Sequence, residues 1–435
     1  MVGLGKSGLS CARHLAAKGW TLAATDSRAA PPGLDEFRAL APQAQVSIGR
    51  FDAALLQGTS LVVASPGVSL AEPVFAAARA RGIEIAGDIE LFARAADAPT
   101  VGITGTNGKS TVTTLLGLMA EKAGIRVRVG GNLGTPALDL LGGPAPELYV
   151  LELSSFQLEA TDSLQLRAAA VLNVTPDHMD RYATIEDYAA SKARIFERCD
   201  TAVVNADDAQ VARMPRPGQA TLSFSVRPDA RADYALIGTG SSAVLARRGA
   251  PLIAHQEMRI AGTHNAANAL AALALGDAAG VDMPAMLAVL RDFPGLPHRS
   301  QWVADVAGVR YIDDSKGTNV GATVAAIEGL PGTLVMIAGG DGKGQDFAPL
   351  AAAFAGRVRA AVLIGRDAPA LEDALDGVCA LQRCATLEEA VHAAATLARA
   401  GDTVLLSPAC ASLDMFRDYA HRGAVFAAAV RGLAS

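Results

Sequence analysis

The chain has 435 residues, 51% of them hydrophobic and 19% charged, which excludes a disordered or collagen-like polymer. Its 38 basic and 44 acidic side chains give a formal net charge of −6, which offers no broad basic field for nucleic acid. No apolar run reaches the ~18 residues that span a bilayer, so no membrane segment is expected, and no basic stretch leading into an apolar core marks a signal peptide.

In chain order, short apolar strands alternate with helical stretches, a pattern that predicts an α/β fold built on parallel sheets. Three units are expected, over 1–97, 98–295 and 296–435. In the first, Gly3-x-Gly5-x-x-Gly8 opens a helix through Leu15, a strand Thr21–Thr25 ends at Asp26, and Leu61–Ala64 runs into Ser65-Pro66-Gly67. Only Met1 and Val2 precede Gly3, where a strand of about five residues is usual, so a reading frame truncated inside its first strand is expected. The second unit starts with Thr100–Thr104 and has strands near Tyr149–Leu151, Ala169–Asn173 and Ala202–Asn205. A hairpin-like stretch over Tyr234–Ile260 and an alanine-rich helix after Asn265 follow. In the third, strands are expected near Val309–Ile312, Leu334–Ala338, Ala361–Ile364 and Val404–Leu406, with a last helix near Phe416–Val430.

Chemistry concentrates at the ends of these strands. The glycines before the first helix would let backbone N–H groups approach a pyrophosphate, and Asp26 could hold a sugar hydroxyl. Gly105-Thr-Asn-Gly108-Lys109-Ser110-Thr111 lies between a strand and a helix. Its backbone could wrap phosphates, Lys109 would neutralise them and the Ser110 hydroxyl could hold Mg2+. Ile103 stands where the usual phosphate-loop pattern has its first glycine. Glu152 and His178 follow strands and are candidate metal ligands, whereas Lys192 would serve a metal only as the carbamate formed with CO2. Asn265 and Asn268 share one face of a helix N-terminus. Three strand-end loops of the third unit, Asp313–Asn319, Gly339–Lys343 and Ser407–Asp414, would make a pocket for a small dicarboxylate. The cations here are pointed choices: the chain has 31 arginines and only 7 lysines, and Lys109, Lys192, Lys316 and Lys343 all fall in these motifs. The five cysteines form no CxxC pair and read as reduced thiols of a cytoplasmic protein.

On these motifs nearly the whole chain resembles the Mur ligases of peptidoglycan precursor synthesis. The segments that carry the likeness are Gly-Thr-Asn-Gly-Lys-Ser-Thr, Asp177-His178-Met-Asp180-Arg-Tyr, Asp314-Ser-Lys316-Gly-Thr318-Asn and Ser407-Pro-Ala-Cys-Ala-Ser412-Leu-Asp. The resemblance implies a Rossmann-like UDP-binding first domain, a central phosphate-loop ATPase-like domain and a Rossmann-like amino-acid-binding C-terminal domain. It implies ATP-dependent addition of D-glutamate to UDP-N-acetylmuramoyl-L-alanine through an acyl phosphate, in a cytoplasmic, monomeric enzyme of cell wall biogenesis that thereby serves cell shape and division. By the same resemblance Lys6, Ser7, Asp26, Ser27, Gly67, Asn132 and Ser154 would contact the UDP-substrate. Gly105, Thr106, Asn107, Gly108, Lys109, Ser110 and Thr111 would hold ATP, with Asn268, Arg299 and Asp314. Two Mg2+ ions would be held by Ser110, Glu152, His178 and carbamylated Lys192. Lys316, Thr318, Lys343, Ser412 and Tyr419 would bind D-glutamate, with Tyr at a position where the family also has Phe. Lys109, His178, Lys192 and Lys316 are thus the expected catalytic residues.

Three other readings compete. Folylpolyglutamate synthases share the phosphate loop, but here about 100 residues with their own glycine fingerprint precede it. A dehydrogenase would use only the first 30 residues. A non-catalytic UDP-sugar-binding protein has no need of Lys109, Glu152 and Lys192 together.

Overall fold

The computed structural model describes residues 1–227, 231–260 and 262–433. Among these no helix is long and apolar enough to cross a membrane.

The first unit holds two short parallel pairs, Ala23–Asp26 with Gln45–Ile48 and Leu61–Ala64 with Glu84–Gly87. Val2 lies between them and bridges Thr25 on one side and Ala64 on the other. The helix Lys6–Ala17 starts at the glycine turn and runs two residues past the expected Leu15. Gly8 is needed for contact: a Cβ there would stand 2.2 Å from the Gly3 carbonyl oxygen.

The central sheet has nine strands. Across it run Ala250–Ala254, Val244–Arg247, Tyr234–Ile237, Ala220–Ser225, Cys199–Asn205, Leu166–Val171, Thr100–Thr104, Leu148–Glu152 and Val127–Gly131. The last seven in this order pair parallel, and Val244–Arg247 and Ala250–Ala254 complete an antiparallel edge. Thr100–Thr104 is wholly buried, as a parallel strand covered on both faces must be. The chain next returns on one side of it and later on the other. The loop leaving its carboxyl end therefore opens at a switch point, where open α/β sheets bind ligands.

The third sheet runs Gln301–Val306, Val309–Asp313, Thr403–Leu406, Leu334–Gly339, Val358–Ile364 and Ala380–Arg383, all parallel except the first pair. Three neighbouring strands of this sheet thus end in the three loops singled out above. The last helix begins at Tyr419 rather than Phe416, because Asp418 caps it by accepting from the His421 N–H at 2.7 Å.

Candidate active site

The phosphate loop leaves Thr104 and enters the helix Lys109–Lys122. Gly108 is left-handed (φ 85°), and a Cβ on it would meet the Asn268 Oδ1 at 2.4 Å, so only glycine fits between the loop and that asparagine. The Lys109 ammonium donates to the Gly105 and Thr106 carbonyls, at 2.7 Å each. Burial lowers its pKa, opposed by Glu152 and Asp177. The Asn107 N–H donates to Asn173 Oδ1 at 2.8 Å, which ties the loop to the end of the strand Leu166–Val171.

Lys192, on the helix Ile185–Ala193, is only 1% exposed. Its amine donates to the Gly105 carbonyl at 3.0 Å and lies 4.2 Å from the centre of the Tyr188 ring. A helical lysine is ordinarily a surface group; here burial, then the neighbouring Lys109, push its pKa well below the usual value. His178 sits in a left-handed turn (φ 57°) with its ring edge-on to Phe156 at 4.9 Å, and burial lowers its pKa.

Glu152 ends its strand, 3% exposed. Its Oε1 accepts from Asn132 Nδ2 at 2.7 Å, and its Oε2 is buried without a hydrogen-bond partner. A stranded carboxylate oxygen is costly, and a cation beside it would remove the cost. Among the described residues no three His, Cys, Asp or Glu side chains cluster tightly enough to hold a metal alone. This donor set suits a hard ion that takes its remaining oxygens from substrate and water.

The third unit closes over the loop. Arg299 Nη2 donates to Ser110 Oγ at 2.9 Å. Asp314 accepts from the Ser300 N–H at 3.0 Å and from Ser407 Oγ at 2.7 Å, yet burial still raises its pKa to about 7. Lys316 stands 4.0 Å from the centre of the Tyr419 ring, and burial, then Arg299 and Lys109, lower its pKa to about 8. A cavity of about 270 Å³ between the units is lined by Asn107, Gly108, Thr111, Asn268, Arg299, Asp314 and Lys316. Backbone bonds from Ala409 to Gly317 (2.9 Å), Gly339 to Pro408 (2.8 Å) and Asp341 to Ala411 (3.0 Å) knit the three loops together. Arg422, wholly buried, donates to the Ser315 carbonyl at 2.8 Å and to the Cys410 carbonyl at 3.1 Å. Ser412 is buried on the last of these loops, Thr318 is half-buried, and Lys343 is exposed.

The candidates of the first unit lie apart from that cavity. Lys6 reaches the Gly134 carbonyl, Ser7 is half-buried at the helix start, and Ser27 and Gly67 are exposed. Asp26 is occupied: against the upward push of burial, the Arg28 side chain and the Leu4 N–H hold its pKa down to about 2. Ser154 caps the helix Ser155–Glu159 by accepting from the Gln157 N–H at 3.2 Å. Sequence reasoning missed the clamps made by Asn173, Arg422 and Asn319. Asn173 and Asn319 look like ordinary strand-end and capping residues, and nothing in the sequence marked Arg422.

Residues 1–87 match the Mur ligase MurD-like N-terminal domain, 103–276 the Mur ligase middle domain and 298–410 the Mur ligase glutamate ligase domain. A Nitrosococcus oceani protein named UDP-N-acetylmuramoylalanine–D-glutamate ligase is 53% identical over all of this chain and 96% of its own length. A Methylobacillus flagellatus protein of the same name is 54% identical with the same coverage. The crystal structure of a Thermotoga maritima UDP-N-acetylmuramate-alanine ligase superposes with a TM-score of 0.62 at 18% identity, covering 99% of this chain and 98% of that one. A MurF ligase of the same organism, in complex with ADP, gives 0.60 at 16% identity, covering 88% and 97%. With relatives more than half identical along its entire length, the chain belongs to the Mur ligase family.

Proposed function

We propose that the chain is an ATP-dependent ligase that joins D-glutamate to UDP-N-acetylmuramoyl-L-alanine through an acyl phosphate. The observation that carries this reading is the meeting of a phosphate loop with a lysine-bearing pocket across one cavity, closed by the Arg299–Ser110 bond. The substrate pair is the one printed in the names of the full-length relatives.

A carboxylate is a poor electrophile, so the alanyl carboxylate must first take the γ-phosphoryl group. An acyl phosphate forms and ADP leaves. The D-glutamate amine then attacks the acyl carbon, and phosphate departs. Negative charge builds up among crowded oxygens, and Lys109, Arg299 and the loop N–H groups are fixed in advance to meet it. Lys316, half-buried beside the Tyr419 ring, would meet a carboxylate of the incoming amino acid with Thr318, Lys343 and Ser412.

Mg2+ would be held by Ser110 and Glu152, whose unpartnered Oε2 fits that role, and a second ion by His178 with modified Lys192. When bound, such ions neutralise phosphate oxygens. Lys192 is suited to the modification because only a neutral amine attacks CO2: an N–C bond forms and a proton leaves the nitrogen. The UDP-substrate is assigned to the first unit, through Lys6, Ser7, Asp26, Ser27 and Gly67 with Asn132 and Ser154. The boundaries 1–97, 98–295 and 296–435, a monomeric state and a cytoplasmic location belong to the same reading.

The test is phosphate release from ATP with the UDP-substrate against a panel of amino acids. Turnover should require both the UDP-substrate and D-glutamate, and Lys109→Ala should lower it by about a hundredfold or more. Rapid hydrolysis with either substrate missing would refute the reading.

A further inference from the structure

Asn319 has no part in the chemistry above, yet it occupies the seam between the phosphate loop and the third unit. It is 3% exposed and caps the helix Val320–Gly329, its Oδ1 accepting from the Ala322 N–H at 2.8 Å. That bond fixes the orientation of the amide. The Nδ2 then faces the central unit and donates to Asn107 Oδ1 and to Asp177 Oδ2, both at 3.2 Å. Asn107 answers with a bond from its own Nδ2 to Asn319 Oδ1 at 3.3 Å. Every donor of the Asn319 side chain is thus used, and its oxygen accepts twice.

The two residues it joins, and the loop that carries it, have separate duties. Asn107 is a phosphate-loop residue, held from behind by Asn173 through bonds of 2.8 and 3.1 Å. Asp177 immediately precedes His178. Asn319 itself directly follows Thr318 and stands three residues after Lys316, in the loop assigned to the amino acid. Its bonds to Asn107 and Asp177 are made with the loop carrying Lys316 and Thr318 seated against the nucleotide side.

We infer that Asn319 is a positioning residue that transmits the placement of the amino-acid loop to the phosphate loop and to the turn bearing His178. Binding of nucleotide and of amino acid then strengthen one another through this amide pair. The coupling must be reciprocal, and 5–150-fold is about the usual size for such links. The inference rests on the ligase reading given above.

The discriminating variant is Asn319→Ser. Serine keeps an oxygen for the Ala322 N–H, so the helix cap survives, but it is too short and has too few donors to bridge to Asn107 and Asp177. D-glutamate binding is measured by calorimetry on enzyme loaded with the UDP-substrate, with and without a non-hydrolysable ATP analogue and Mg2+. In the wild-type enzyme the analogue should tighten D-glutamate at least about fivefold. In Asn319→Ser that factor should fall towards one, with a thermal midpoint above that of Asn319→Ala and with kcat lowered by a larger factor than the KM for ATP is raised. Asn319→Ala, which loses the cap as well, should lower the midpoint. An Asn319→Ser enzyme with the full coupling factor, or one melting as low as Asn319→Ala, would overturn the inference and leave the ligase reading intact. A wild-type enzyme without D-glutamate-dependent phosphate release would overturn both.

Discussion

Replacing Arg422 by alanine should loosen the amino-acid pocket from beneath. The guanidinium is wholly buried and donates to Ser315 Oγ (3.0 Å), the Ser315 carbonyl (2.8 Å) and the Cys410 carbonyl (3.1 and 3.2 Å). Alanine strips the guanidinium from two buried carbonyls, each costing about 1–3 kcal/mol when left unsatisfied, while the Ser315 hydroxyl keeps its bond to the Tyr419 carbonyl. Water entering the vacated space offsets part of this, which leaves a loss of about 3 kcal/mol. For a unit of this size that lowers the melting transition by about 6–12 °C. Both stripped carbonyls lie in loops of the pocket, so the KM for D-glutamate should rise while the KM for the UDP-substrate stays unchanged. Arg422→Lys should fall between, since an ammonium cannot span both loops as the planar fork does. Calorimetry of unfolding and a coupled ADP assay supply the two readouts. An alanine variant with the parental transition and an unchanged KM for D-glutamate would refute this account of how the loops are held.

Two further outcomes follow from buried charge. Lys192→Arg should be nearly inactive in the phosphate-release assay although it keeps a cation, because guanidinium cannot form the carbamate; short carboxylic acids should partly restore Lys192→Ala, and a normally active arginine variant would remove the carbamate from the mechanism. Asp314, raised by burial to about 7, binds its proton more tightly in the folded state than in the unfolded one, whose pKa is near 3.8. Its contribution is therefore fully present below about pH 4 and lost as pH rises towards 7. Thermal midpoints across that window should decline less steeply in Asp314→Asn, and parallel profiles for the two proteins would contradict the shift.

Much of this was readable because buried parallel strands are written as uninterrupted apolar runs. Leu61–Ala64 and Thr100–Thr104 have the ends that the sequence marks, the first running into Ser65-Pro66-Gly67 and the second into the glycine-rich phosphate loop. Several strands escaped notice, among them Glu84–Gly87, Val127–Gly131, Gln301–Val306 and Ala220–Ser225, the last inside the central sheet. Gln45–Ile48 and Ala380–Arg383 lie at sheet edges, half polar and largely exposed, so their pattern is that of a loop. Ends shifted where a side chain, not hydropathy, sets the boundary, as Asp418 does for the last helix. Within the site, Gly105–Thr111, Glu152 and Lys316 announced themselves by residue type and spacing. The burial of Lys192 could not be read, because it depends on the Tyr188 ring and the Gly105 carbonyl arriving from two directions. Asn319 was hidden for the same reason: a cap is a local feature, and its second duty spans 212 residues.

The long reach of these bonds gives the nascent chain a timetable. Ser110 and Arg299 are 189 residues apart, and Asn107 and Asn319 are 212 apart. A ribosome adding roughly 5–20 residues per second takes about 10–40 s to travel from the phosphate loop to its partners. The loop itself is complete only once Asn173 and Asn268, which pack against it, have been made, and it then still lacks the arginine and the acceptor pocket that make transfer productive. The same geometry sets a point of weakness in the finished protein: a single cut between Gly295 and His298, outside the strands and helices on either side, would turn an intramolecular site into a bimolecular one.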